Sequence, residues 1–592
     1  MSEQKEQFEF NYEPIRGYPE LCWTGKRPFT GTPYYPAQLK ESYGDDTDLP
    51  DGKTSGWRNK IYWGDNLQVM SHLLKDYRGK VNLIYIDPPF DSKADYKKKI
   101  ELRGKSTTTD SSTFEEKQYG DIWTNDEYLQ FMYERLILCR ELLADNGSIY
   151  LHCDWHRNSY LRALMDEVFG PSNMESEIIW QLQGVSGYKS LVNSFVRGHD
   201  TILFFRKGNN KTFNKEYLPY DEKQLKRFTG VDKDGRRYKP ITKDRVIYLD
   251  ESKGIPVSDV WSDIASFQTV VNSPEIMNYP TQKPEALLER IIKASSNPGD
   301  IVFDCFMGSG TTQAVAMKLG RRFLGADINL GAIQTTTKRL LKVSEELNGQ
   351  LETEHPFYTG FEVYNVNDYD FFRNELEAKR LICEAMGMEQ LPDSTVYDAL
   401  LDGRKVCILG INRIATASEF AKLLNNVNIS EWQSRQKENP TKPVEEITFV
   451  CMGHDPNLKA QFEEEVSKMG FKVDVEIIDL LRDKKDLRFK RDSDAKIVIK
   501  NNKLIIENFF PMNLLQKLSI EKTDVSNWKE LAESVFIDWN YDGVTFSPEL
   551  TDIPEKNELV KGEYAIPKSA GTIHIKITDL ISESWEGNVE AE

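Results

Sequence analysis

Residues 299–329 read GDIVFDCFMGSGTTQAVAMKLGRRFLGADIN. IVFDCF has the composition of a buried strand, TTQAVAMKLG that of a helix, and RRFLGADI that of a second strand ending at Asp327. Strand, helix and strand in succession form a βαβ unit and imply a parallel sheet. The turn Gly308-Ser309-Gly310 lets backbone approach a ligand closely at a helix N-terminus. Asp327 lies 19 residues beyond Gly308, near the ~20 at which an acid reaches ribose hydroxyls in dinucleotide-binding folds. The Lys-Ser/Thr ending of a phosphate-binding P-loop is absent, which excludes ATP or GTP at this turn. The third glycine of the dinucleotide fingerprint is also missing, which disfavours NAD.

The same alternation extends on both sides. KIYWGD is a short strand ending at Gly64-Asp65, with NLQVMSHLLKDY as the helix after it, and VNLIYID is a near-continuous apolar run suited to a strand buried on both faces. A helix carrying Leu129, Met132, Tyr133, Leu136 and Ile137 on one face is expected to stop at Asp145-Asn146-Gly147. The strand SIYLHC, the helix RNSYLRALMDEVFG and the strand DTILFFRKG follow. The pattern lapses over residues 209–277 and returns with TQKPEALLERIIKASS, where Pro284 suits a first helical position.

This organisation predicts an N-terminal arm (1–57), two halves of one α/β domain (58–208 and 278–360) split by an insertion (209–277), and a C-terminal unit (361–592). The C-terminal unit is read as α/β strands KVCILGIN, EITFVCMG and VDVEIIDL, then hairpins around Asn501-Asn502 and Asp542-Gly543. TIHIKIT puts Ile573, Ile575 and Ile577 on one face.

A second stretch, IYIDPPFD at residues 84–91, ends its strand abruptly, because proline cannot donate to a sheet ladder. Asp87 is thereby poised beyond the strand end. The chain has 592 residues, enough for about two to four domains. It carries a net charge of −18, which argues against a protein that coats nucleic acid everywhere. Residues 205–245 run against that sign, with 13 Lys/Arg to 6 Asp/Glu. The seven cysteines have no paired spacing, so a reducing cytoplasm is expected, with neither zinc nor disulfides, and no run suits a membrane span.

Taken together, Asp-Pro-Pro-Phe after one buried strand and Asp-x-Phe-x-Gly-Ser-Gly-Thr opening another βαβ unit resemble the amino-methyltransferases of DNA. The catalytic loop precedes the cofactor loop, with a basic insertion between them. That order is similar to the β group, which includes the modification (Mod) subunits of type III restriction systems. The resemblance covers residues 57–360 and implies a Rossmann-like methyltransferase fold, a mostly parallel twisted sheet with helices on both faces. It implies S-adenosylmethionine as cofactor, held by Asp304, Phe306, Gly308, Ser309, Gly310, Thr311 and Asp327, with Asp65 of WGDNLQVM at its adenine and Thr281 and Lys283 of YPTQKPEALLERII at the pocket rim. Cys305 stands where the family usually has Pro.

The resemblance further implies that Asp87, Pro88, Pro89 and Phe90 receive a base flipped from double-stranded DNA, methylated at adenine N6. N4 of cytosine is the nearest alternative, since those relatives more often begin the loop with Ser. The family carries target recognition where the insertion lies, which makes Lys223, Lys226, Arg227, Arg236, Arg237, Lys239, Lys243 and Arg245 the candidate DNA contacts. A rival reading is a DNA-recognition scaffold whose methylation is secondary or lost. A separate restriction or helicase subunit and a homodimer are the partners the family suggests, and SKADYKKKIELRGK is read equally as a DNA-closing arm or a linker. His152 and His156 are read as structural, and Trp539, Tyr541 and Phe546 as hairpin core.

Overall fold

The computed structural model describes residues 7–10, 18, 20–44, 56–89, 95–101, 113–120, 125–182, 193–242, 245–267, 269–270, 273–277, 279, 281–348, 357–366, 379, 382–383, 386–391, 396–401, 403–409, 415, 423–424, 427–451, 457–480, 493–520, 525, 527–555 and 558–590. Its centre is a ten-stranded sheet. In chain order the strands are β1 (Ala37–Tyr43), β2 (Asn59–Trp63), β3 (Val81–Ile86), β4 (Leu143–Cys153), β5 (Met174–Gln181), β6 (His199–Arg206), β7 (Val260–Trp261), β8 (Ile301–Asp304), β9 (Arg322–Asp327) and β10 (Phe361–Val366). Across the sheet they lie in the order β7-β5-β6-β4-β3-β8-β9-β2-β10-β1. The pairings are parallel except at β5/β6, β6/β4 and β10/β1. This is a mostly parallel α/β sheet, as the alternation implies.

Six helices cover the two faces: α1 (Asn66–Tyr77), α2 (Asn125–Leu142), α3 (Asn158–Phe169), α4 (Glu285–Ser295), α5 (Thr311–Lys318) and α6 (Leu330–Asn348). Met70 and Leu73 of α1, Leu136 of α2 and Leu164 of α3 pack with Ile84 and Ile86 of β3. Leu83 and Tyr85 of the same strand point the other way, onto Leu288 of α4, Ala314 of α5 and Leu340 of α6. Successive side chains alternate sides, so a strand covered on both faces must be apolar throughout, and VNLIYI is. Among the described residues no helix is long and apolar enough to cross a membrane, and no group of three or more His, Cys, Asp or Glu is placed to hold a metal.

Several local expectations need correcting. α2 ends at Leu142 and β4 begins at once, so Asp145-Asn146-Gly147 lies inside the strand's span. Strand β8 stops at Asp304, short of the expected Phe306. Pro284 is the N-cap of α4 (φ −67°, ψ 145°), with Glu285 taking the first helical position. β5 went unread because MESEIIWQ mixes charge with apolar residues; it sits near the sheet edge, where only Ile178 and Trp180 are buried. SKADYKKKIELRGK contributes the strand Asp95–Glu101, paired antiparallel with Thr113–Gly120, so this part is a hairpin rather than a linker.

Sheet membership moves two unit boundaries as well. The N-terminal arm supplies edge strand β1, and Phe361–Val366, assigned by sequence to the C-terminal unit, is β10 of the central sheet. Both strands are short, and their pairing is with residues far away in the chain, which local pattern does not reveal.

The C-terminal strands Arg404–Ile408, Glu446–Cys451 and Asp474–Asp479 pair in parallel. Asp494–Lys500 and Lys503–Phe510 form a hairpin with Asn501 and Asn502 at φ 55° and 58°, the left-handed pair a type I′ turn requires. Ile573, Ile575 and Ile577 are fully buried. The second expected hairpin is different: Ala532–Asp538 pairs with Leu550–Asp552, while Phe546 exchanges backbone hydrogen bonds with β1 (Phe546 N to Lys40 O 3.1 Å, Ser42 N to Phe546 O 2.9 Å). Phe546 packs with Tyr43 and Phe361 in the central core, whereas Trp539 stays in the C-terminal core. A buried Lys576–Glu41 ion pair joins the same surfaces. The C-terminal β-unit therefore covers part of an edge strand whose unpaired N–H and C=O groups would otherwise be open to association.

Candidate active site

The connections diverge at the middle of the sheet. From β3 the chain crosses through α2 to β4 on one side; from β8 it crosses through α5 to β9 on the other. Neighbouring parallel strands whose connections leave in opposite directions open a crevice at their carboxyl ends. Asp87 follows β3 and Asp304 ends β8, directly alongside, with Phe303 paired to Ile84. Asp327 ends the next strand, β9.

Asp87 forms an ion pair through Oδ2 with Lys283 Nζ. Its Oδ1 is buried and has no hydrogen-bond partner among the described residues. Pro88 and Pro89 continue the loop; Phe90 lies outside the described residues. The resemblance places Lys283 with Thr281 at the cofactor rim. The side chain reaches the Asp87 carboxylate, while its backbone carbonyl accepts from Thr311 Oγ1 at 3.3 Å beside the glycine turn.

Next to this loop, at the end of β4, lies a cluster that sequence reading missed. Asp154 accepts from the His156 backbone N–H (2.9 Å), pairs with His156 Nδ1 (2.6 Å) and takes Arg197 Nη1 (3.2 Å). His152, fully buried, holds Tyr85 Oη at 2.9 Å and Asp200 at 3.4 Å. Burial alone would raise the Asp200 carboxyl, but His152 and Arg197 hold it well below the usual range. Both histidines are thus hydrogen-bonded to acids of this cluster. Asp-Trp-His after a strand was the available signal for Asp154.

The cofactor turn is braced from three sides. Gly308 and Gly310 have φ of 51° and 70°, values that glycine adopts without strain. A Cβ on Gly310 would lie 2.5 Å from Thr336 Cγ2 of α6, and one on Gly308 3.2 Å from the Tyr279 ring. Thr336 Oγ1 donates to Gly308 O at 3.1 Å, and Arg339 reaches Ser309 O (3.3 Å) and Thr311 Oγ1 (2.9 Å) while pairing with Glu285 (2.8 Å). Arg339 was not legible because its role depends on α6 folding back over the turn.

Two acids, buried Asp304 and half-buried Asp327, face this turn. Asp304 accepts from Phe306 N (2.9 Å) and Thr312 Oγ1 (2.6 Å). Burial pushes its carboxyl up to about 7 against those two hydrogen bonds, with the negative charges of Asp87 and Asp327 adding to the rise. Asp327 accepts from Gly308 N (2.9 Å) and Asn329 N (2.8 Å), and burial pushes it up to about 6 despite them. Carboxylates beside a glycine turn fit a ligand that brings hydroxyls and a positive charge, as S-adenosylmethionine does. Cys305, in place of the family's proline, is buried, and its carbonyl accepts from Asn66 Nδ2 at 3.0 Å.

Asp65 is held from within the fold. Its carboxylate caps α1 (Leu67 N, 2.8 Å) and takes Arg135 Nη2 at 3.0 and 3.1 Å, with both side chains buried. Arg135 also donates to Asn66 Oδ1 and lies 3.5 Å from the Phe131 ring centroid. The Asp65–Arg135 pair and Asn66 thus tie the start of α1 to the Cys305 carbonyl.

The basic insertion is a small β-structure in which Gly230–Val231, Arg237–Thr242 and Arg245–Tyr248 pair. Three of the candidate DNA contacts are used inside it. Arg236 forks onto Asp250 (2.6 and 2.9 Å) and Glu251 (2.5 Å), Arg237 donates to Leu225 O and Phe228 O, and Lys239 lies over the Tyr220 and Phe228 rings. So small a sheet has little apolar core, so polar links brace it. Lys223, Lys226, Arg227 and Arg245 stand at the surface of the insertion, and Lys243 lies outside the described residues.

A chain with this sheet and these two loops has the form of an α/β methyltransferase. The family whose model matches residues 81–338 is described as DNA methylase. A type II methyltransferase of Enterobacter cloacae, M.EcaI, is 30% identical over 382 residues, covering 54% of this chain and 79% of that protein. A type II methyltransferase of Moraxella bovis, M1.MboII, is 32% identical over 259 residues, covering 42% and 85%. The chain belongs to this DNA methylase family. It is also 28% identical over 338 residues to the Mod subunit of the type III restriction-modification enzyme StyLTI of Salmonella typhimurium, and the match spans about half (51%) of that subunit.

Proposed function

We propose that this chain transfers a methyl group from S-adenosylmethionine to the N6 amine of an adenine extruded from double-stranded DNA, as the modification component of a type III-like restriction-modification system with a separate restriction subunit. The observation that carries the reading is the pairing of β3 with β8, whose carboxyl ends bring the Asp87 loop and the acids of the glycine turn side by side. Bound there, S-adenosylmethionine supplies an electrophilic methyl on a sulfonium. The adenine amine is a poor nucleophile because its lone pair is delocalised into the ring. Asp87 Oδ1 accepts one amine hydrogen and the Pro88 carbonyl the other, drawing the nitrogen toward a pyramidal shape. The new N–C bond forms as the S–C bond breaks, and one amine proton is released. Phe90 stacks on the base, worth roughly 1–3 kcal/mol by analogy with single-strand binders, which helps offset the few kcal/mol that flipping costs. The test is incorporation of tritiated methyl into mixed-sequence DNA, then single-molecule sequencing of host DNA with and without the gene. Modified cytosine instead of adenine would overturn the base assignment, and no modification on any DNA would overturn the activity.

Cofactor affinity should depend on pH with a definite sign. Burial raises the Asp304 and Asp327 carboxyls to about 7 and about 6, and a cationic ligand favours their ionised forms, so binding releases protons. Affinity for S-adenosylmethionine therefore rises as pH increases from about 5.5 to 7.5 and levels off above. S-adenosylhomocysteine, lacking the sulfonium charge, shows a shallower rise. In the ligand-free protein the raised pKa values act in the opposite direction: the folded state binds more protons than the unfolded one, so this contribution to stability falls as pH rises from about 4 to 7. Calorimetric titrations across that range that give flat affinities would reject the assignment of these acids.

The surface basic residues of the insertion are assigned to phosphate binding. Lys223, Lys226 and Arg227 changed together to Ala should weaken duplex binding and flatten the salt dependence by about 0.9 log unit per log salt for each phosphate no longer neutralised. Arg236→Ala, already engaged by Asp250 and Glu251, should leave that slope unchanged. Fluorescence anisotropy at several salt concentrations measures both. An unaltered slope in the triple variant would remove this face from the DNA interface.

A further inference from the structure

The described residues of segment 275–283, between the insertion and α4, touch both halves of the site. Tyr279 packs over Gly308 of the cofactor turn, the Lys283 carbonyl accepts from Thr311 Oγ1, and the Lys283 ammonium pairs with Asp87. The segment is held in shape from within: Gln282 accepts from Met277 N (2.8 Å) and donates to Glu275 O (2.6 Å). Thr281 has φ 67°, a left-handed conformation that is strained for a β-branched residue and persists only where the surroundings over-determine it. A strained residue two positions before Lys283, within a clasped loop, fixes where the ammonium arrives. Lys283 is largely buried (11% exposed side chain), as is Asp87 (14%). Its charge also acts on the nearby Asp200, which Arg197 and His152 already engage. The ammonium is therefore seated among acids, not on a solvent-facing arm.

The two oxygens of Asp87 are consequently unequal, Oδ2 taken by Lys283 and Oδ1 buried without a partner among the described residues. We propose that Lys283 is a positioning residue for methyl transfer: by holding Oδ2 it sets the rotamer of Asp87 and leaves Oδ1 as the oxygen that accepts the amine hydrogen. This rests on the methyl-transfer reading above. A carboxylate free to rotate would offer the amine a variable acceptor, whereas one pinned by an ion pair needs no reorganisation when the base arrives. The residue also hands the position of the insertion's downstream segment directly to the catalytic carboxylate.

The test compares Lys283→Met, similar in reach but uncharged, with Lys283→Arg, in single-turnover methylation of plasmid DNA. Lys283→Met is expected to lower the transfer rate roughly 10²-fold, while Lys283→Arg recovers most of it. Cofactor affinity by calorimetry and DNA affinity by anisotropy should remain close to those of the unmodified chain in both, while Lys283→Met, which strands the Asp87 carboxylate, also loses some thermal stability. A wild-type rate in Lys283→Met, an equal drop in the two variants, or an effect confined to cofactor affinity would each overturn the proposal, the last by returning Lys283 to the cofactor rim. Asp87→Ala, assayed in parallel, separates the premises: if it methylates normally, the reading of Asp87 itself fails, whatever Lys283 does.

Discussion

Asp87→Ala is expected to cut methyl incorporation by about 10²–10³-fold, the size of effect seen when one preorganised hydrogen-bonding partner of a transition state is removed. Cofactor binding should persist, because Asp87 makes no bond to the glycine turn; Asp304, Asp327 and the backbone of Gly308 lie on the other side of the crevice. Removing Asp87 leaves the Lys283 ammonium without its ion partner in a largely buried setting, so some thermal destabilisation is expected too. Asp87→Asn guards against mistaking that for catalysis, since it keeps the shape and one acceptor oxygen while removing the charge. Tritiated-methyl assays with calorimetry on the same preparations give the result. If purified Asp87→Ala protein still methylates DNA to within about tenfold of the unmodified chain, a barrier difference of about 1.4 kcal/mol, the role assigned to this carboxylate is wrong.

Arg135→Ala should produce the largest loss of stability. The guanidinium is 4% exposed and the Asp65 carboxylate it holds 8%. Breaking a buried pair by deleting one partner strands the other charge and costs roughly 3–5 kcal/mol. The damage should also reach the cofactor turn, because Arg135 holds Asn66 and Asn66 holds the Cys305 carbonyl between Asp304 and Phe306. Urea denaturation and cofactor titration should therefore shift together. Adding Asp65→Asn to Arg135→Ala should restore part of the stability, since the stranded charge is then gone. Unchanged urea midpoints in the single variant would show that Asp65 does not depend on Arg135.

The chemistry-bearing segments were readable because their signals are local. Gly-Ser-Gly between a strand and a helix, and Asp-Pro-Pro after VNLIYI, each carry a backbone requirement within a few residues. The pairing of Asn501 and Asn502 in a tight turn was legible for the same reason. Arg135, Arg339 and Asp154 were not, since an arginine on an amphipathic helix looks the same whether it meets solvent or a buried acid. The basic insertion misled in part: charge density along the chain does not tell a phosphate-binding residue from an internal ion pair, and Arg236 forms internal ion pairs.

By itself the sequence determined the alternating α/β core, the two loops at its strand ends and the order in which they occur, because period and turn chemistry act over neighbouring residues. Only the tertiary structure decided which strands became neighbours, that β1 and β10 complete the central sheet, that Asp65 is paired within the core and that Lys283 meets Asp87. The β1/β10 partners are far apart in the chain, Tyr43 and Phe361 by 318 positions and Ala37 and Val366 by 329. Such long-range pairings depend on how whole elements pack, which no short window of residues contains.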